Sequence, residues 1–174
     1  NFIIDNAKSY GWMTAAKRSG QTKGWTVYTE SSIFGGMSTW GSQYTVANAW
    51  YCTHLWDHYR YTLDKDYLKR AFPAIWSSAE FWMERLKKDT RVNDGKWVCP
   101  NEWSPEHGPT EDGVPHAQQL VRANLQICRD AINAVGAAEL GLTAADVAKL
   151  DDYLDNLDTG DRKSTRLNSS HIQK

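Results

Sequence analysis

The chain has 174 residues, enough for one domain with a sizeable core, and its formal net charge is −1. No basic stripe suggests nucleic-acid binding and no apolar run approaches the length of a membrane span, so we expect neither a nucleic acid nor a membrane as a partner. Nine Trp and eight Tyr are many for this length. We expect most of these rings to build the core and a minority to line a cleft.

The first part of the chain predicts two helices joined by a long loop. Residues 1–18 carry apolar side chains at helical spacing, and residues 19–43 are rich in glycine, with a possible short extended run at 25–29. Residues 46–62 predict a helix that is dense in aromatic rings. A loop of this length in a compact domain is usually functional.

The second part of the chain predicts three helices, the first two of which are joined by another long loop. Asp64 is a candidate N-cap for a helix with an apolar stripe from Leu68 to Leu86, in which Pro73 predicts a kink or break. A long loop at 89–115 precedes a helix at about 116–138, and Thr143 with Asp146 predicts a capping box for the last helix. The predicted fold class is all-α.

The cysteines and two histidines do not predict a metal centre. Cys52, Cys99 and Cys128 form neither a CxxC pair nor a zinc-ligand spacing, so we expect small buried side chains. His54 and His58 lie one helical turn apart and could share a metal, but a third ligand at suitable spacing is missing. We therefore expect no metal and no cofactor.

The end of the chain differs from the rest in composition. Residues 161–171 are polar, aperiodic and similar to the translation of a sequencing-adapter oligonucleotide. We expect residues 161–174 to be an artefactual, disordered tail and exclude them from fold reasoning. We also expect the chain to be a fragment that is truncated at both ends.

The segment 97–113 is the strongest candidate for an active-site loop. It holds two Trp, three Pro and four carboxylates, which are Glu102, Glu106, Glu111 and Asp112. Cleavage of a glycosidic bond needs a protonated carboxyl group in a partly apolar pocket, and Trp faces provide a platform for a sugar ring. All four carboxylates are candidates for this acid, and Glu106 with Asp112 could form an inverting pair.

Side chains that could contact a sugar come from several segments. Residues in loops or beside the acidic segment are favoured, whereas the aromatic rings at helical positions, including Trp50, are expected in the core. The candidates for substrate binding are Glu30, Trp40, His54, Trp103 and His116, with Trp25 and His107 as further possibilities.

Three motifs in order resemble glycoside hydrolase family 95, the inverting α-L-fucosidases and their α-L-galactosidase relatives. They are GWTVYTESSIFGG at 24–36, WYCTHLWDHYRYT at 50–62 and PNEWSPEHGP at 100–109. The similarity runs over roughly residues 1–140, and three motifs in order are more specific than any one of them.

This resemblance implies an (α/α)6 barrel of the six-hairpin glycosidase type, of which residues 1–160 would be the middle section. It also implies that Glu106, in a Ser-Pro-Glu motif, is the general acid. The resemblance further implies that an Asn pair and an Asp act on the attacking water, and we expect these residues outside this chain. The 174-residue polypeptide alone is therefore expected to be inactive.

The expected function is removal of α-L-fucose, or α-L-galactose, from a fucosylated oligosaccharide or polysaccharide by a secreted or periplasmic enzyme. The alternatives are another α/α-barrel glycosidase or a sugar phosphorylase, which fold alone would not separate. A non-catalytic carbohydrate-binding protein is a third alternative.

Overall fold

The computed structural model describes residues 2–32, 34, 36, 44–91, 94–105 and 108–160. Helices form most of this part of the chain, which confirms the all-α class. The helices are α1 (Phe2–Asn6), α2 (Tyr10–Arg18), α3 (Ala47–Thr62), α4 (Lys65–Arg85), α5 (Pro115–Val135) and α6 (Ala144–Asn156), with a 3₁₀ turn at Ala138–Leu140.

Two small antiparallel hairpins lie in the segment that the sequence predicted as one long loop. Strand β1 (Lys87–Lys88) pairs with β2 (Trp97–Val98), and β3 (Glu102–Trp103) pairs with β4 (Thr110–Glu111). In the second hairpin Glu102 is opposite Glu111 and Trp103 is opposite Thr110. The turn of this hairpin therefore spans the Ser-Pro-Glu motif.

The N-terminal segment differs from its prediction. It forms two helices instead of one, because Ser9 caps the start of α2 and its hydroxyl accepts a hydrogen bond from the Trp12 N–H at 3.4 Å. Residues 25–29 have irregular backbone rather than a paired strand. The predicted artefactual tail, residues 161–174, lies outside the described residues.

Helix α4 begins as predicted and continues through its proline. The Asp64 carboxylate accepts a hydrogen bond from the Tyr67 N–H at 2.9 Å. Of the kink or break expected at Pro73, the break is absent, because α4 is one helix of 21 residues. Pro73 is exposed, whereas Phe72 and Ala74 beside it are buried, so tertiary packing holds the helix across the missing N–H.

Helices α3, α4 and α5 pack against one another, and α6 packs on α5. Trp25, a possible cleft residue by sequence, is instead fully buried in this core. Its ring stacks on Trp12 at a centroid distance of 5.0 Å, and its indole N–H donates to the Ala74 carbonyl at 2.9 Å. A ring in a loop can thus belong to the core when it packs against helices, as Trp25 does against α2 and α4.

The cysteines are buried thiols, as predicted for Cys52, Cys99 and Cys128. Burial raises the pKa of the Cys52 thiol to about 12 and that of the other two well above the ordinary value. All three therefore stay protonated and pack as small apolar groups. In the part of the chain that the structure describes, no helix is long and apolar enough to cross a bilayer.

Candidate active site

A cavity of about 580 Å³ lies between the start of α3, the β3–β4 hairpin and the first turn of α5. Aromatic side chains form most of its wall. The lining residues are Tyr28, Thr29, Tyr44, Ala47, Trp50, Tyr51, His54, Trp103, Pro105 and His116. A concave site with many aromatic rings and a few polar groups is typical of small-molecule recognition.

Three of the substrate-binding residues predicted from sequence meet in this cavity. His54, Trp103 and His116 come from α3, β3 and α5 and share its wall. Glu30 is exposed beside the lining residue Thr29 and is not itself a lining residue, so its role stays a prediction. Trp40 lies outside the described residues.

Contacts of Ser104 with Gly108 and Pro109 close the turn of the β3–β4 hairpin tightly. The Ser104 N–H donates to the Pro109 carbonyl at 3.1 Å, and the Gly108 N–H donates to the Ser104 carbonyl at 2.8 Å. A Cβ on Gly108 would lie 2.4 Å from Cβ of Ser104, so only glycine fits this approach. Glu106 lies outside the described residues, but Pro105, directly before it, lines the cavity.

Tyr44 was not singled out by sequence reasoning, yet it makes the closest polar contact in the cavity wall. Its hydroxyl lies 2.6 Å from Nε2 of His116, 72 residues away along the chain. Burial, helped by the negative charge of Glu102, raises the pKa of Tyr44 to about 12, and burial lowers the pKa of His116. A protonated phenol is thus suited to donate to a neutral imidazole.

Trp50 corrects the expectation that rings at helical positions belong to the core. Its side chain is 48% exposed and lines the cavity, with its ring edge-on to His116 at a centroid distance of 6.4 Å. Trp103 is half-buried on the opposite segment. The cavity therefore offers two indole rings and the phenol of Tyr51 to a bound ligand.

Among the carboxylates of the acidic segment that the structure describes, Glu102 is the most deeply buried. Its Oε1 accepts hydrogen bonds from the Thr45 hydroxyl and from Nε and Nη2 of Arg85 at 3.2 and 3.0 Å. Its Oε2 is buried and has no hydrogen-bond partner among the described residues. Burial raises the pKa of Glu102, although Arg85 and Thr45 oppose the shift.

The contacts of Asp112 favour a structural role over that of a catalytic base. Its carboxylate pairs with Nζ of Lys87 at 2.6 Å and accepts the Asn101 N–H at 2.9 Å. Burial would raise the pKa of Asp112, but the bonds from Lys87 and Asn101 and the nearby positive charges lower it overall. Asp112 is also not among the residues that line the cavity.

The model of the glycosyl hydrolase family 95 catalytic domain matches residues 2–166 of the chain. The chain belongs to glycosyl hydrolase family 95. Its helical architecture agrees with a part of the all-α barrel that the sequence resemblance implied. The match includes the β3–β4 hairpin and every segment that lines the cavity.

Two curated proteins are similar to this family 95 chain. One is "Probable alpha-fucosidase A" of Aspergillus niger, 36% identical over 121 residues, which are 64% of this chain and 15% of that protein. The other is "Alpha-L-fucosidase 2" of Arabidopsis thaliana, 33% identical over 91 residues, which are 48% of this chain and 10% of that protein. The chain thus spans a small part of the length of either relative.

Proposed function

We propose that this chain is a section of the catalytic barrel of an inverting α-L-fucosidase and that residues 1–160 carry its general acid. The observation that carries the proposal is the position of the Ser-Pro-Glu turn, since Trp103 on strand β3 and Pro105 in the turn line a cavity rich in aromatic rings. Family membership and the names of both relatives support it.

Glu106 is the proposed general acid. Its carboxyl proton passes to the glycosidic oxygen while the bond between that oxygen and the anomeric carbon breaks. A water attacks the anomeric carbon from the opposite face, loses its proton to a base, and leaves the sugar with inverted configuration. The groups that activate this water are proposed to lie outside the chain.

The cavity is the proposed sugar site. The rings of Trp50, Tyr51 and Trp103 provide apolar faces on which a pyranose can lie, and His54 and His116 provide polar contacts to its hydroxyl groups. Glu30 and Trp40 remain proposed contacts from the glycine-rich segment. The substrate is a fucosylated oligosaccharide or polysaccharide, and the enzyme is secreted or periplasmic.

The test is proton NMR of the reaction of the full-length enzyme with an α-L-fucosylated oligosaccharide. We expect the β-anomer of free L-fucose as the first product, at a rate that does not depend on phosphate. A rate that rises with phosphate and yields a sugar phosphate would indicate a phosphorylase. Binding without turnover would indicate a carbohydrate-binding protein. Faster release of L-galactose from an α-L-galactoside would show that galactose, and not fucose, is the preferred sugar.

A further inference from the structure

Glu102 connects the two sides of the cavity. It belongs to β3, and the next residues along that segment, Trp103 and Pro105, line one side. Its partner Thr45 lies between Tyr44 and Ala47, which line the other side. A single carboxylate oxygen therefore joins the hairpin to the segment that precedes α3.

Arg85 fixes this connection to the end of α4. Besides its bonds to Glu102, its Nη2 donates to the Pro100 carbonyl at 3.3 Å, and its Nη1 donates to the Ser19 carbonyl at 3.2 Å. The side chains of Arg85 and Glu102 are 12% and 1% exposed. A forked, largely buried guanidinium gives a more rigid attachment than a surface ion pair.

The position of the Glu102–Arg85 pair indicates a role in placing the hairpin, beyond any contribution to stability. A buried ion pair is weak evidence for stability, because its desolvation offsets the attraction between the charges. This pair instead specifies where the acidic hairpin begins relative to Tyr44. Rate depends steeply on the placement of a proton donor, and a misplacement of about 1 Å can cost roughly a hundredfold.

We propose that Glu102 is a positioning residue for the glycosidase reaction, which holds the β3–β4 hairpin and its Ser-Pro-Glu turn against the cavity through Thr45 and Arg85. This inference rests on the proposed function. Glu102 itself does not line the cavity, so it acts on the reaction through the placement of the hairpin.

Two substrates with different leaving groups can distinguish a misplaced proton donor from a general loss of activity. When the leaving group is a hydroxyl oxygen of another sugar, its departure needs a well-placed proton donor, whereas departure of fluoride needs little proton transfer. In the full-length enzyme, Glu102→Gln should lower kcat on a fucosylated oligosaccharide at least tenfold and kcat on α-L-fucosyl fluoride less than threefold. Thr45→Val removes one hydroxyl and keeps the pair with Arg85, so it should show the same pattern with a smaller loss.

Glu84→Gln is the matched control, because Glu84 neighbours Arg85 on α4 but binds the Thr22 and Lys23 N–H groups, each at 2.9 Å. It should leave the ratio of the two rates unchanged. Equal losses on both substrates in Glu102→Gln and Thr45→Val, or no loss in either, would overturn the inference. If the unmodified enzyme releases no fucose from either substrate, the proposed function fails instead.

Discussion

The hydroxyl of Tyr44 and Nε2 of His116 lie 2.6 Å apart and join the segment before α3 to the first turn of α5. Burial lowers the pKa of His116 below its ordinary value of 6.5. The unfolded chain therefore binds a proton at this residue at a higher pH than the folded protein does. Stability from this site is present above about pH 6.5 and falls as the pH drops through the ordinary pKa toward the folded one.

His116→Gln removes this titration and keeps a polar partner for Tyr44. We expect the Tm of the full-length enzyme to fall more between pH 8 and pH 5 than that of His116→Gln. Thermal denaturation across this range measures the difference. A variant with the same acid-induced drop as the unmodified enzyme would show that His116 does not carry it.

Removing one partner of the Glu102–Arg85 pair leaves a buried charge without compensation. Arg85→Met should lower the free energy of unfolding by about 3 kcal/mol, and the double variant Arg85→Met with Glu102→Leu should recover much of the loss. Lys87→Met breaks the more exposed pair with Asp112 and should cost at most about 1 kcal/mol. Chemical denaturation of the full-length variants provides the comparison, and a double variant less stable than Arg85→Met would contradict the account.

Gly108 tests the tight closure of the hairpin turn. An Ala there would place Cβ 2.7 Å from the Ser104 carbonyl oxygen, so the turn must open and lose its bonds to Ser104. We expect at least a tenfold lower kcat/KM on a fucosylated oligosaccharide. Gly36→Ala is the control, because a Cβ there meets the Ser32 hydroxyl at 3.4 Å and should change kcat/KM less than twofold. Similar kinetics for both variants would argue against the tight closure of this turn.

Substitutions of two Trp residues should have different effects, one on substrate binding and the other on stability. Trp50→Ala removes a half-exposed cavity ring and should raise KM about tenfold with a small change in Tm. Trp25→Ala empties a core position and should lower the free energy of unfolding by about 3–5 kcal/mol. Steady-state kinetics and thermal denaturation of both variants check this, and the reverse assignment of effects would contradict the structure.

The helices could be predicted because their signals are local. The apolar stripe of α4, the Asp64 cap and the capping box of Thr143 with Asp146 all appear in the structure. Trp50, which was expected in the core, lines the cavity, and Trp25, which was only a possible cleft residue, lies in the core, because burial depends on which elements pack against one another. Whether a residue lies in a loop or in a helix does not determine the burial of its side chain.

The polar contacts of the candidate site could not be predicted in the same way. Tyr44 and His116 are 72 residues apart, and Thr45 and Glu102 are 57 residues apart. These pairs form because α3 packs on α5 and because the hairpin folds against them. Local sequence patterns do not predict such long-range contacts. The Ser-Pro-Glu motif is recognisable in the sequence itself, so the proposed acid could be identified without tertiary information.

The central claim is that Glu106 protonates the departing oxygen. The most direct measurement compares the full-length enzyme with Glu106→Gln on a fucosylated oligosaccharide and on α-L-fucosyl fluoride. The account predicts a fall in kcat on the oligosaccharide of about 10²–10⁴-fold and a much smaller fall on the fluoride, which needs little proton transfer. Unchanged turnover of the oligosaccharide by Glu106→Gln would contradict it.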